Sequence, residues 1–141
     1  MTIDVGNDLQ EFNWLLSNFV RNADGVRDAV AVSSDGLLIA TSTGLDRAGA
    51  DQLAAIVSSL TSVGRSASRR YDFQGLKLIM LEMRRGFLLV SAIANGSSLG
   101  VLADEHCDVG LVGYEMGVLV DKAGPLLTPA LITASRQYLP Q

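Results

Sequence analysis

Cysteine, histidine and tryptophan occur once each in this chain, and charged residues are scarce. Each shortage excludes something. A single cysteine, Cys107, cannot build an internal disulfide framework and suits a reducing compartment. A single histidine, His106, leaves no second imidazole for a zinc site of ordinary type. A basic surplus is also missing: the net charge of −4 argues against general nucleic-acid binding and against an anionic membrane surface. Charged residues are 18% of the chain, below the usual quarter, while 48% is hydrophobic, so surface hidden by association is expected. The opening residues, MTIDVGNDLQEF, lack the basic segment and apolar core of a signal peptide, and the expected location is the cytoplasm. With 141 residues the expectation is one domain with a real core.

What is present is organised around residues 52–64, QLAAIVSSLTSVG, which carry no charge. Leu53, Ile56, Val57, Leu60, Val63 and Ala67 recur at helical spacing and predict one apolar stripe on a helix over about 46–70, with Asp46 as N-cap. The opposite face then holds Asp51, Ala54, Ala55, Ser58, Ser62 and Arg65. A helix with one face on water normally carries Lys and Glu there, whereas small neutral side chains let another helix come close. The spacing therefore predicts a helix buried twice, once in its own core and once against a partner.

Residues 86–103 are also uncharged and approach the ~20 residues that span a bilayer. Asn95-Gly96 at their middle is the strongest short hairpin signal, so two buried strands are predicted instead of a span. Residues 1–8 are expected to be flexible. A first helix is predicted over 9–20, with Leu9, Phe12, Leu15, Leu16, Phe19 and Val20 inward, Asp8 as cap and Trp14 off that stripe, either partly buried at the helix edge or in contact with a partner. Strands at 26–32 and 37–41 flank the tight turn Ser33-Ser34-Asp35-Gly36, whose lone Asp reads as a turn former and not a metal ligand. The strand at 76–83 has one face of Leu76, Leu78, Met80 and Glu82 and another of Lys77, Ile79, Leu81 and Met83, which implies layers on both sides of the sheet. Strands at 87–93 and 99–103 complete a meander.

A third helix is predicted over 108–122, and Gly110, Gly113 and Gly117 fall near one line on it. Glycine costs a helix about 1 kcal/mol relative to alanine, so close backbone approach to the sheet or another helix is expected there. No strand-turn-helix context and no following GK[ST] supports a nucleotide loop. Gly124-Pro125 ends the helix, and 129–139 forms a short last helix anchored by Leu131, Ile132 and Tyr138. The main domain is expected at 9–124, with 125–141 as a tail. The order helix, two strands, helix, three strands, helix makes an α+β domain of three layers, the central helix alone on one face.

Candidate catalytic chemistry is thin. His106 beside Cys107, with Asp104, Glu105 and Asp108 near, suggests a Cys–His nucleophile, but sequence neighbours rarely aim their side chains at one another. A solvated loop is expected, with Cys107 as a small buried side chain and the acids as helix caps. Arg65, Arg69, Arg70, Arg84 and Arg85 are five of the eleven basic residues, at the end of the central helix and at a strand turn. They form either two solvated ends or one basic contact surface for an acidic partner, where Arg gives oriented hydrogen bonds.

Leu45-Asp46-Arg47 leading into Ala50-Asp51-Gln52-Leu53-Ala54-Ala55-Ile56 resembles the roadblock / dynein light chain 7 family. Glu82-Met83-Arg84-Arg85-Gly86-Phe87-Leu88-Leu89 and Cys107-Asp108-Val109-Gly110-Leu111-Val112-Gly113-Tyr114-Glu115-Met116 carry the same resemblance, in particular to short actinobacterial roadblock proteins. It spans about residues 9–130. The resemblance implies a roadblock (profilin-like) α/β/α sandwich with a five-stranded antiparallel sheet in the order 2-1-5-4-3. It implies a homodimer that pairs strand three with its symmetry mate and packs the two long helices together. Ala54, Ala55, Ser58, Ser62, Lys77, Ile79 and Leu81 then form the interface.

It implies further a scaffold or regulator of a Ras-like small GTPase, contacted through Arg65, Arg69, Arg70, Arg84 and Arg85. Some members stimulate GTP hydrolysis without chemical groups of their own, by ordering the partner's switch loops. An arginine finger from Arg65 or Arg69 is the sharper mechanism. Similar actinobacterial proteins are encoded with a sensor-kinase-like membrane protein and a small GTPase. A nucleotide-indifferent adaptor joining that kinase-like protein to other components is the alternative role. Either role needs no catalytic residue, cofactor, metal, nucleic acid or membrane insertion, and recruits the protein to the inner membrane face only through partners.

Overall fold

The computed structural model describes residues 5–138; residues 1–4, 139–141 and the side chain of Tyr138, an expected anchor, lie outside the described residues. The elements are α1 (Val5–Asn22), β1 (Val26–Val32), β2 (Leu38–Thr41), α2 (Arg47–Tyr71), β3 (Leu78–Met83), β4 (Gly86–Ala92), β5 (Ser98–Asp104), α3 (Val109–Ala123) and α4 (Pro129–Tyr138). Local chemistry sets their limits. Asp46 accepts the Gly49 N–H at 2.7 Å and starts α2; Asp72 ends it with a left-handed φ of 55°. Asp108 accepts the Leu111 N–H at 3.1 Å and starts α3. Asn95 and Gly96 both take positive φ, 59° and 75°, which the short β4–β5 connection demands.

All five strands are antiparallel, in the order β2-β1-β5-β4-β3, as expected. Alternation along each strand divides the core in two. Ala29, Ala31, Leu89, Leu99 and Val101 face α1, α3 and α4, where Phe12, Leu16, Met116 and Leu131 fill the space. Val30, Val32, Leu88 and Val90 face α2 alone, against Ala50, Leu53, Ala54 and Val57. The helix lies very near the sheet because β5 offers no side chain at Gly100. A Cβ built there would sit 2.4 Å from Val57 Cγ2 and 3.3 Å from Val30 Cγ2.

That close approach narrows the predicted stripe, of which Leu53 and Val57 are buried as expected. The inward face of α2 is Ala50, Leu53, Ala54, Val57, Thr61 and Ser68, a narrow row of mostly small side chains. Ile56 and Val63, expected inside, are 50% and 70% exposed, while Ala54, expected outside, is 2% exposed. Ala67 also faces outward and Leu60 is half-buried. Bulk is excluded where helix and sheet nearly touch, so the larger residues are displaced to the helix flank.

Other expectations change as well. The first helix begins at Val5, so Asp8 lies in its first turn and is no cap; residues 5–8 are helical. Trp14, off the buried face of α1, is 57% exposed and so partly covered, as expected. Gly110, Gly113 and Gly117 do not let another backbone in: a Cβ at Gly113 or Gly117 meets nothing within 4 Å, and one at Gly110 meets only Asp108 Oδ1.

The two kinds of glycine separate cleanly in stability measurements. Gly100→Ala should cost about 1–3 kcal/mol through overpacking on Val57, whereas Gly113→Ala should add up to about 1 kcal/mol from helix propensity. Urea unfolding midpoints read both, and a stabilised Gly100→Ala would contradict the packing described.

Candidate functional site

β3 is an edge strand whose ladder partners lie on β4 only. Leu78, Met80, Leu81 and Met83 are all exposed along it, and Ile79 is half-buried. An apolar edge bare on both faces invites pairing with another chain. The other edge, β2, is four residues long with Leu38, Ile39 and Ala40 buried. Beside β3 the flank of α2 is equally bare. Leu60 and Ile79 join the small core beneath the helix, and Gly64 brings the backbone of α2 against Leu76 and Ile79, with a built Cβ 2.9 Å from Leu76 Cδ1 and 3.3 Å from Ile79 Cδ1. Ile56 and Val63, one turn either side of Leu60, carry the apolar surface outward. Flank and strand thus place Ile56, Leu60, Val63, Ile79, Leu81 and Met83 side by side, apolar groups at least partly open to water.

The opposite flank of α2 is polar. Ser58, Thr61, Ser62, Arg65 and Arg69 line a depression there with Ser34 and Asp35. Arg65 Nη2 donates to the Gly96 carbonyl at 2.8 Å, which ties the helix to the β4–β5 turn. Arg70 points elsewhere, over the Tyr71 ring at 6.0 Å. Arg84 and Arg85 sit at the β3–β4 turn, at the far end of the strands, where Arg85 Nε is 4.0 Å from Glu105 Oε1. The five arginines therefore form two separate groups and not one continuous surface. In the loop after β5 His106 is exposed, as a solvated loop requires, with Nε2 3.8 Å from Glu105 Oε1 and its backbone N–H donating to Asp104 Oδ1 at 2.9 Å. Cys107 instead packs on Gly25, where a built Cβ would come within 2.5 Å of Cys107 Cβ.

A family model described as the Roadblock/LC7 domain matches residues 12–103. The chain belongs to the Roadblock/LC7 family. A crystal structure of a Roadblock/LC7 domain from Streptomyces avermitilis is 38% identical, with a TM-score of 0.77, over 82% of this chain and 96% of its own. Myxococcus xanthus MglB shares 15% identity with a TM-score of 0.76, over 82% of this chain and 94% of its own. MglB in a tetrameric arrangement shares 18% identity with a TM-score of 0.70, over 94% and 93%. The two MglB likenesses speak to the fold alone. No curated protein matches the chain significantly.

Within this Roadblock/LC7 domain the expected interface residues divide. Lys77, Ile79 and Leu81 share the α2-side face of β3, beside the apolar patch, and Lys77 and Leu81 are exposed. Ala55 is exposed on α2. Ala54 is spent in the chain's own core and cannot reach a partner, and Ser58 and Ser62 line the polar flank. Ile56, Val63 and Met83 were missed as surface residues. The signal that finds them is the small-residue row Ala50-Ala54-Val57-Thr61 facing a strand that has glycine at its centre.

Chemistry at the acidic loop runs against nucleophilic catalysis. Burial raises the Cys107 thiol pKa, and the Asp104 and Asp108 carboxylates raise it further, so the thiol stays protonated at neutral pH. Among the described residues no group of three or more His, Cys, Asp and Glu could hold a metal ion. No helix among them is long and apolar enough to cross a membrane. Alkylation of native Cys107 by iodoacetamide should inflect at higher pH than alkylation of a cysteine in an unfolded peptide; an inflection at or below the peptide's would refute the assignment. By linkage the neutral thiol favours the fold below the unfolded pKa, and that contribution is lost as pH climbs through the raised value.

Proposed function

We propose that this chain is a non-enzymatic homodimeric module that binds a Ras-like small GTPase as a scaffold or regulator. The observation that carries the dimer is the bare β3 edge lying beside the bare flank of α2. A two-fold axis beside β3 pairs the strand with its copy, continues the sheet across both protomers and sets the two α2 flanks face to face. Ile56, Leu60, Val63, Ile79, Leu81 and Met83 are then covered. Half-exposed side chains return on the order of 1 kcal/mol each at ~25 cal/mol per Å², and association costs roughly 4–15 kcal/mol. Neither the flank nor the edge suffices alone; the strand ladder and the apolar contact act together. The tetrameric arrangement of MglB, a structural relative, supports assembly of this fold.

Membership of the Roadblock/LC7 family supports the GTPase partner. The protonated thiol and the tethering of Arg65 to Gly96 favour a regulator that orders the partner's own loops over one that inserts a chemical group. Cytoplasmic location, with recruitment to the membrane through a sensor-kinase-like partner, belongs to the same reading.

Light scattering should give about twice the 14.9 kDa chain mass, and Val63→Glu with Leu81→Glu should give a monomer with an unchanged circular dichroism spectrum. A monomeric wild type at tens of micromolar, ~7 kcal/mol of association free energy, would end the dimer reading. Copurification with a Ras-like small GTPase should favour the GTP-loaded form. Equal capture of GTP and GDP forms would mark the nucleotide-indifferent adaptor instead.

A further inference from the structure

The polar flank of α2 has features that neither dimerisation nor core packing uses. Its depression measures about 280 Å³, walled by Ser58, Thr61, Ser62, Arg65 and Arg69 on the helix and by Ser34 and Asp35 on the β1–β2 turn. Among the described residues no carboxylate pairs with Arg65 or Arg69. The Arg65 guanidinium is aimed by its bond to the Gly96 carbonyl at 2.8 Å, which leaves its remaining N–H groups open. Arg69 makes one long contact, 3.4 Å to Ser66 Oγ.

Asp35, the single acid of the depression, is already committed. It accepts from the Ser33 hydroxyl, and Arg136 of α4 reaches its other oxygen at 2.9 Å. Those partners, the Ser33 bond foremost, hold its carboxyl below the usual range, so it remains ionised and engaged at the rim. The hydroxyls of Ser34, Ser58 and Ser62 make no hydrogen bond within the described chain, whereas that of Thr61 donates to the Ser58 carbonyl. Two unneutralised guanidinium groups and three unspent hydroxyls converge in a protein of net charge −4.

We propose that this depression is a seat for a phosphoryl group. Arg65 and Arg69 lie one helical turn apart, and they clamp two of its oxygens while the serine hydroxyls donate to the rest. A carboxylate has only two oxygens and is satisfied by one arginine fork; the number and spread of open donors match a tetrahedral oxyanion better. The seat lies on the flank turned away from β3, so it stays open whether or not two copies pair, and it does not rest on the GTPase reading.

The test is a nitrogen–proton NMR titration of the full-length protein with sodium phosphate, against sodium chloride at equal ionic strength and against sodium acetate. Phosphate should shift the amides of Ser34, Ser58 and Ser62 and the Nε–Hε signals of Arg65 and Arg69 in a saturable way. Arg69→Gln, on an exposed side chain, should weaken the effect about tenfold with the rest of the spectrum unchanged, and Ser62→Ala should weaken it less. Tighter binding of a phosphoserine peptide than of free O-phosphoserine identifies a protein-borne phosphate as the source. Equal binding identifies a small phosphorylated ligand. No saturable shift at about 10 mM phosphate, an equal response to acetate, or full binding by Arg69→Gln would each overturn the proposal.

Discussion

The near contact between Val57 of α2 and the bare backbone of β5 at Gly100 is the constraint on which the rest of this molecule depends. With any larger residue at 100 the helix must lift off the sheet, and the small core under it would lose its fit. Because it does not lift, Ala50, Ala54, Val57 and Thr61 fit beneath it and Leu53 is the one large side chain of α2 buried there. The helix must therefore carry its bulkier apolar residues on its side. An interior packed at crystal-like density leaves no room for compromise on that point.

Where those residues emerge is then decided by the sheet. The order β2-β1-β5-β4-β3 centres α2 over β1 and β5, and leaves β3 without full cover on either face. Ile56 and Val63 come out on the side of α2 where Leu60 and Gly64 meet Ile79 and Leu76. One packing decision in the core thus produces an apolar patch, an open hydrogen-bond edge and their adjacency. The low fraction of charged residues is the compositional trace of the same arrangement. A lone domain of this size with such a strand would normally protect it with charge, proline or a bulge; here Glu82 is the one charged residue within β3, with Lys77 just before it and Arg84 and Arg85 just after.

Much of this was legible beforehand, for physical reasons that differ by element. Asp46 and Asp108 announced their helices because a cap needs only local geometry. Asn95-Gly96 announced its hairpin because positive φ is a local demand. The element order and, through family resemblance, the strand order followed. The face of α2 did not, because Ile56 and Val63 are as hydrophobic as Leu53 and only the distance to β5 tells them apart. That distance is set by a residue more than thirty positions away in the chain. The glycines of α3 misled for the converse reason: absence of a side chain permits close approach but does not compel it. Between the two readings open for the arginines, two separate ends or one surface, only the fold could decide, because topology brings Arg84 and Arg65 to opposite ends of the strands.

The two flanks of α2 consequently differ in kind. Toward β3 the helix is apolar and continuous with a strand edge, a surface that a rigid, self-complementary partner covers well. Toward the β1–β2 turn it is serine and arginine around open space, a surface that stays hydrated until a charged group displaces the water. Both flanks exist because the helix rests on a row only one or two residues wide, so most of its circumference is left to other uses. A helix sunk more deeply into a wider groove would gain core area and lose both surfaces. The spare, glycine-based seating of α2 therefore trades apolar burial within one chain for two chemically distinct faces, one suited to a second copy and one to an anion.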